Sequence, residues 1–358
     1  MRLLVQFSRF AVGALFIFSG FVKAVDPRGT AIKLDKYYIA WSDQVGDWVL
    51  SLSALSLPLS YLIVSFELVL GVFLILNYRK KLTINLLLGV IVFFTMLTFY
   101  TAKTGEPSDC GCFGDFLVIE PWTSFFKDVA LLALILVLYK WQNLLGPSFK
   151  GFQADLIVLL ISLFTFGFSL YNIVQLPIID FRPYAIDSDL KTLTLGVEAD
   201  YGYLLKSKAN PSETITIDDE DLTSEILKTY DYVDQVELKA GVPPKVLEFR
   251  IENNEGDNLT EIILKGESAL VVARKISKLD QLKFKEITEA CSNLKKEGFK
   301  VYLVNGFSKE TAQKSGFDFN EVDAVFGTID EDLSKAMIRS NFGVIRLREG
   351  IVTSKSQL

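Results

Sequence analysis

Histidine is absent from this chain of 358 residues, and cysteine occurs only three times. Without histidine, the chain cannot form a histidine-ligated haem or zinc site, and it cannot carry a Ser-His-Asp triad. Three cysteines are too few for a disulfide scaffold or a four-cysteine metal site, so no metal centre is predicted. The formal net charge of −6 argues against nucleic acid as a partner.

Charged residues are also scarce in the first half of the chain. Residues 1–175 are mostly apolar, whereas residues 180–358 have the composition of a soluble domain. An apolar helix needs about 20 residues to cross the core of a bilayer. Five segments meet this requirement, and they are about Leu3–Val25, Leu57–Asn77, Leu82–Thr101, Pro121–Trp141 and Ala154–Gln175. The sequence therefore predicts five transmembrane helices in a lipid bilayer, followed by a soluble domain.

Two further features refine this picture of the membrane half. The first span ends in Phe-Val-Lys at residues 21–23, without a small-residue cleavage pattern, so we expect it to be retained. Residues 26–56 are too polar to span. Their aromatic residues, among them Trp41 and Trp48, favour a surface or re-entrant helix at the membrane interface.

The orientation rests on one basic loop and on helix parity. Residues 79–81, Arg-Lys-Lys, form a short positive loop between the second and third spans, which indicates the cytoplasmic side. The charge bias over the whole bundle is weak. With five spans, the loop after the third span and the chain after the fifth must face the same compartment. We therefore expect a multi-pass protein of the bacterial inner membrane, with this loop and the C-terminal domain in the periplasm.

That loop carries two of the three cysteines, Cys110 and Cys112, separated by Gly111. Glycine tolerates the backbone angles that a small disulfide ring requires. A small strained ring is reduced more easily than a structural disulfide, which favours a redox-active pair. Nearby acidic residues such as Asp109 disfavour a thiolate, while Lys103 and Lys127 could offset them. The alternative is a static disulfide that ties the loop, or two unreactive thiols.

The motif at residues 109–115, Asp-Cys-Gly-Cys-Phe-Gly-Asp, resembles the MauE family, the methylamine-utilisation membrane proteins of the wider DoxX-like group. Residues 18–27, Phe-Ser-Gly-Phe-Val-Lys-Ala-Val-Asp-Pro, resemble that group as well. The resemblance covers about residues 1–145. It implies a four-helix bundle related to DsbB and vitamin K epoxide reductase, and a role in disulfide formation or maturation of exported proteins. A quinone is then a candidate cofactor. This chain has one cysteine pair in its membrane half, where those enzymes use two.

One ionisable residue, Glu67, lies near the middle of the second span. Such a residue is costly at that depth and usually has a partner or a function. Lys23 and Arg9 are candidate partners, and a protonated Glu67 bonded to Thr95 or Thr98 is the alternative. Glu67 and Lys23 thus form a candidate intramembrane polar site, either as packing contacts or in proton or quinone chemistry.

The soluble half begins with short alternating segments. Residues 192–197 and 214–217 predict a strand-rich insert over residues 181–242, and the acidic run 218–221 is read as a solvated turn. From residue 243 the pattern gives a strand at 245–252 and a buried strand at 269–273. The later elements are a helix at 279–296, strands at 300–304 and 324–328, a short helix at 308–315, a helix capped by Asp330, and a hairpin around residues 348–350.

This order of elements over residues 243–358 resembles the thioredoxin fold of TlpA and peroxiredoxin-like proteins. The Cys-x-x-Cys signature is missing, since residues 275–280 read Lys-Ile-Ser-Lys-Leu-Asp. Cys291 lies on the apolar face of a predicted helix and is interpreted as a buried packing residue. The predicted organisation is a MauE/DoxX-like bundle at 1–145, a fifth helix and linker at 146–180, the insert at 181–242, and an α/β thioredoxin-like domain at 243–358.

Two functional hypotheses follow. In the first, Cys110 and Cys112 exchange disulfides with an exported or periplasmic client, and the thioredoxin-like domain is a redox-inert docking module. In the second, the protein is a non-enzymatic membrane scaffold or chaperone, and the cysteines only tie the loop. A transporter is a third class, because Glu67 lies at membrane depth.

Overall fold

The computed structural model describes all residues except Ser108, Pro211, Leu247, Glu248, Ser277 and Lys278, and leaves the side chain of Glu321 undescribed. It divides the chain into two compact units, Met1–Arg182 and Pro183–Leu358. The first unit is helical and the second contains β-sheets.

The helical unit confirms the five predicted spans. Its helices are α1 (Arg2–Val25), α2 (Pro27–Val45), α3 (Ser56–Ile75), α4 (Lys80–Thr104), α5 (Pro121–Trp141) and α6 (Phe152–Val174). A 3₁₀ segment, Asp47–Leu55, runs directly into α3. Five segments are long and apolar enough to cross a membrane: Arg2–Val25, Asp47–Ile75, Lys80–Thr104, Pro121–Leu144 and Phe152–Val174.

Glycines let α1 and α3 cross at close range. A Cβ atom on Gly20 would lie 2.6 Å from the backbone nitrogen of Leu68, and one on Gly71 would lie 2.8 Å from that of Ile17. Small residues at a helix crossing allow two backbones to approach, and such contacts drive helix association where no water is excluded. This crossing holds the middle of α3 against the end of α1, where Lys23 lies.

Four of the spanning helices share one hydrophobic core. It contains Val12 and Phe16 of α1, Leu70 and Leu74 of α3, Ile84, Leu87 and Ile91 of α4, and Leu131, Ile135 and Leu138 of α5. Helix α6 packs elsewhere, through Ala154 and Val158, against Tyr78. The bundle therefore consists of a four-helix core with the last span on its outside.

The polar segment after α1 forms helix α2. Asp26 caps it by accepting a hydrogen bond from the Gly29 backbone N–H, and proline occupies its first position. Tyr37 is buried and shares a 2.8 Å hydrogen bond with the hydroxyl of Thr101 in α4. In contrast, Trp48 is 63% exposed. This segment thus covers the end of the bundle that carries the α4–α5 loop.

The α/β unit begins with a small antiparallel sheet. Its strands are β1 (Asp200–Ser207), β2 (Thr214–Asp218) and β3 (Tyr230–Lys239), in the order β2-β1-β3. The strand expected at residues 192–197 is wrong, because residues 190–195 form the short helix α7 (Leu190–Leu195). The Asp189 side chain accepts a hydrogen bond from the Thr192 N–H, so a local cap overrides the alternating pattern. Helix α8 (Ile226–Thr229) precedes β3.

A six-stranded mixed sheet forms the rest of this unit. Its strands are β4 (Ile251–Glu252), β5 (Glu267–Ala273), β6 (Lys300–Asn305), β7 (Val325–Ile329), β8 (Phe342–Arg348) and β9 (Ile351–Gln357), in the order β4-β7-β6-β5-β8-β9. Strands β5, β6 and β7 are parallel, whereas β8 is antiparallel to β5 and to β9. The helices are α9 (Thr260–Ile263), α10 (Gln281–Lys296), α11 (Lys309–Lys314) and α12 (Glu331–Met337).

The predicted elements of this sheet match the structure except at its start. The strand expected at 245–252 is present only as β4, and residues 247 and 248 lie outside the described residues. Asp280 and Asp330 cap α10 and α12. Cys291 is fully buried in the core beside Ile287, and burial raises the pKa of its thiol to about 12. This cysteine therefore lies in packed apolar surroundings, as expected from the sequence.

Candidate functional site

Cys110 and Cys112 lie together in the loop between α4 and α5. Their Sγ atoms are 2.8 Å apart and both are free cysteines. Gly111 and Gly114 have φ angles of 66° and 55°, in the left-handed region that glycine adopts without strain. The Cys110 thiol also donates a 3.0 Å hydrogen bond to the hydroxyl of Ser124, in the first turn of α5. The two cysteines are therefore close enough for disulfide exchange. Ser108, which precedes them in the loop, lies outside the described residues.

Lys33 of α2 holds this loop in place. Its ammonium lies 2.7 Å from a carboxylate oxygen of Asp109 and 3.4 Å from one of Asp115, and it donates to the carbonyl of Gly114. Burial lowers the pKa of Lys33, but the two carboxylates outweigh burial and raise it overall. Sequence reasoning expected the acidic residues to disfavour a thiolate. In the structure Lys33 is their counter-charge, so their effect on the cysteines is reduced.

The two thiols differ strongly in acidity. The hydrogen bond from Cys112 is the largest effect on Cys110; burial opposes it, but Ser124 and the positive charge of Lys127 add to it and bring the pKa to about 6. For Cys112, the same hydrogen bond and then burial raise the pKa well above the usual value. Since a thiolate is the attacking species, the geometry favours Cys110 as the nucleophile.

We predict that the alkylation rate of reduced Cys110 rises as the pH increases through about 6 and is level at neutral pH. The folded-state pKa lies below the usual one, so the thiolate forms at lower pH than in a free thiol. Lys127→Met should move this curve to higher pH by removing a nearby positive charge. Stopped-flow alkylation at a series of pH values measures both curves.

Lys103→Met is the matched control, because Lys103 lies in the last turn of α4, near the loop, but is exposed. Its curve should coincide with that of the unmodified protein, since water screens exposed charges. A wild-type curve that rises only above pH 8 would contradict the assignment of Cys110.

A buried ion pair lies on the membrane side of the cysteines. Lys23 Nζ is 2.7 Å from Glu67 Oε2, and the two side chains are only 7% and 6% exposed. Of the predicted partners of Glu67, Lys23 is the one found here; Thr98 instead donates to Asp128, and Thr95 bonds the backbone of its own helix. The structure thus joins the two residues of the predicted intramembrane site.

A second ion pair was missed from the sequence. Lys127 Nζ lies 2.7 Å from Asp128, which is 1% exposed and also accepts the Thr98 hydrogen bond. Asp128 lies inside a predicted span, and a carboxylate there usually faces the interior of the bundle. This position in the sequence could have identified it as a candidate site residue. This pair places a positive charge next to the cysteines.

Both ion pairs and both cysteines line one cavity of about 70 Å³. Its remaining walls are mostly apolar and include Phe16, Ile63, Ile91, Phe93, Phe94, Leu97 and Leu131. Mostly apolar walls with a few polar groups are the composition typical of sites that bind small molecules. Among the described residues, no group of three acidic or thiol side chains is arranged to hold a metal ion.

Residues 1–140 match the family model described as methylamine utilisation protein MauE. The match includes the cysteine loop and both ion pairs, and it ends before α6 and the α/β unit. It supports the MauE membrane family for this region, which we call the MauE-like region. Together with the five apolar helices, it supports a multi-pass membrane protein. No curated protein matches the chain.

Proposed function

We propose that this protein is a membrane thiol-disulfide redox protein that assists disulfide formation or maturation of an exported client. The main observation behind this proposal is the pair Cys110 and Cys112, whose sulfurs are 2.8 Å apart, with the pKa of Cys110 lowered to about 6. Exchange requires an attacking thiolate and a nearby second thiol that resolves the mixed disulfide.

In this proposal, Cys110 forms the covalent link to the client. When the pair is reduced, the Cys110 thiolate attacks a client disulfide and releases one client thiolate. Cys112 then attacks Cys110 and releases the second, which leaves a Cys110–Cys112 disulfide. The reverse sequence oxidises a client dithiol, and each sequence conserves the two electrons that are exchanged. The pair therefore reduces a client disulfide when it is itself reduced, and oxidises a client dithiol when it is itself a disulfide.

The family description supports a more specific client. It names methylamine utilisation, and we propose that the client is an exported protein of such a system. We also propose that the α/β unit is a thioredoxin-like, redox-inert docking module. The parallel unit β5–α10–β6 followed by the β8–β9 hairpin supports this assignment, and its cysteine, Cys291, is fully buried.

We predict that the cysteine loop and the C-terminal unit both lie on the periplasmic side of the inner membrane. A membrane-impermeant maleimide should label Cys110 on intact spheroplasts, and it should label a Gln357→Cys tail cysteine as well. Lys81→Cys, in the first turn of α4 at the basic end of the bundle, is the matched control and should be labelled only after lysis. Labelling of the tail or of Cys110 only in lysed cells would refute this topology.

The reduction potential of the pair tests the redox proposal. We predict a value between about −120 and −270 mV, the range of catalytic exchangers, because the stabilised Cys110 thiolate favours the reduced form. Equilibration of the Cys291→Ser protein in glutathione or dithiothreitol buffers, followed by alkylation, measures it. A potential below about −300 mV would indicate a structural bond and would favour the scaffold hypothesis.

A further inference from the structure

We propose that the end of the helical unit where α4 begins carries a site for the phosphodiester group of an anionic phospholipid. The site lies between the start of α4 and the segment that joins α5 to α6. It is at the opposite end of α4 from the cysteine loop, so it does not rest on the proposed redox function.

A surface cavity with a basic lining is the first observation. Its volume is about 550 Å³, and four of its lining residues carry a positive charge, namely Arg79, Lys80, Lys81 and Lys150. Among the described residues that line it, none is an aspartate or a glutamate. Asp155, outside this lining, lies 3.6 Å from Arg79 and offsets part of the charge. A cavity lined by charge of one sign concentrates ions of the other sign, so this one favours an anionic ligand.

Hydrogen bonds between two connecting segments hold these cations around one cavity. The Phe149 N–H donates to the Asn77 carbonyl at 3.1 Å, and the Asn77 side-chain amide donates to the Gly146 carbonyl at 3.0 Å. The ammonium of Lys80 donates to the same Gly146 carbonyl at 3.2 Å. These bonds bring Lys150 to the start of α4 from the segment before α6. A site that is already built binds with a smaller loss of conformational entropy.

One wall of the cavity belongs to the lipid-facing surface of α4. Leu82 lines the cavity and is 53% exposed, and Leu86, one turn further along the helix, is 37% exposed. Exposed apolar side chains on a spanning helix face lipid. Asn85 also lines the cavity, about 6 Å along the helix from Lys81, a distance close to the thickness of the headgroup layer. A ligand here meets cations at one end and lipid-facing leucines at the other, which fits a phospholipid better than a free phosphate ion.

The side chains suit phosphate chemistry. Arginine and lysine donate strong, charge-assisted hydrogen bonds to phosphate oxygens. An ammonium has three N–H donors, so Lys80 can keep its bond to the Gly146 carbonyl and still donate to a phosphate. Basic cavities between spanning helices bind anionic lipid headgroups on the cytoplasmic side, which is the side we propose for this end of the bundle.

Lipid binding to the purified full chain tests the proposal. The protein is immobilised in detergent micelles that contain radiolabelled phosphatidylglycerol, or phosphatidylcholine with the same acyl chains, and the bound lipid is counted. We expect one phosphatidylglycerol per chain, with a Kd about tenfold or more below that of phosphatidylcholine. Lys81→Met/Lys150→Met should raise the Kd for phosphatidylglycerol about tenfold or more. Both lysines are exposed, so this variant should keep its fold.

Arg2→Gln/Lys140→Met is the matched control. It removes two exposed positive charges from the same end of the bundle, at residues that do not line the cavity. It should bind phosphatidylglycerol as the wild type does, and so should Lys81→Arg/Lys150→Arg. Equal losses in the two charge-removing variants, or equal wild-type affinity for the two lipids, would overturn the site.

Inorganic phosphate separates the two sources of the same chemistry. Sodium phosphate at millimolar concentration should leave the binding of phosphatidylglycerol unchanged, because the lipid also contacts the apolar surface of α4. Displacement of the lipid by phosphate would overturn the phospholipid assignment and would indicate a site for the free ion.

Discussion

Cys112→Ser should trap Cys110 in a stable mixed disulfide with its client, whereas Cys110→Ser should trap nothing. With a pKa of about 6, Cys110 is mostly thiolate at neutral pH. The serine hydroxyl at position 112 can still donate the hydrogen bond that stabilises this thiolate, but it cannot resolve the adduct. In Cys110→Ser the remaining thiol is largely protonated, so its exchange rate should fall about a hundredfold or more.

Non-reducing electrophoresis of membranes after acid quenching detects the adduct, and reductant should release it. Cys291→Ser is the matched control and should behave as wild type, because its buried thiol lies in the core of the α/β unit. Cys110→Ser/Cys112→Ser should form no adduct. If Cys110→Ser accumulates the adduct and Cys112→Ser does not, the order of attack is reversed. If neither traps a partner and the double variant keeps full function in cells, the scaffold hypothesis replaces the redox one.

Lys23→Met should destabilise the helical unit by about 3–5 kcal/mol, because it leaves Glu67 buried without its counter-charge. Lys23→Met/Glu67→Leu should recover most of this loss, since replacing both charges removes the desolvation cost of each. Lys81→Met, on an exposed lysine, should change stability by no more than about 0.5 kcal/mol.

Tryptophan fluorescence during unfolding in mixed detergent measures these changes. All four tryptophans lie in the helical unit, at positions 41, 48, 122 and 141, so the signal does not include the α/β unit. A Lys23→Met protein as stable as wild type would mean that Glu67 is held by other contacts or is protonated. In that case the double variant should show no recovery.

Local signals in the sequence were sufficient for much of the fold. The length of each apolar run predicted the five spans, and the aspartate cap at Asp330 marked the start of α12. The strand expected at 192–197 failed because its alternating pattern was short and Asp189 capped a helix instead. Short patterns carry too few residues to separate period two from a helical turn.

The sequence identified the candidate site residues, but it did not show which of them are in contact. Glu67 could be recognised from its depth in a span, yet Lys23, Arg9, Thr95 and Thr98 were all acceptable partners in the sequence. The close α1–α3 crossing at Gly20 brought Lys23 to it across 44 residues. Asp128 was missed because the sequence around it does not show that the hydroxyl of Thr98, in α4, donates a hydrogen bond to it.

The sequence by itself therefore determined the number of spans, the change to an α/β unit and the cysteine pair between two helices. These properties depend on the length of each apolar segment and on the order of residues along the chain, and both can be read directly from the sequence. Only the tertiary structure decided which of the two thiols is more acidic and which residues line the cavity beside the cysteine pair. The acidity of Cys110 depends on Ser124 and Lys127, and the cavity is lined by residues of five helices, α1 to α5. Such effects act through distances of a few ångströms between residues far apart in the chain, so they follow from packing alone.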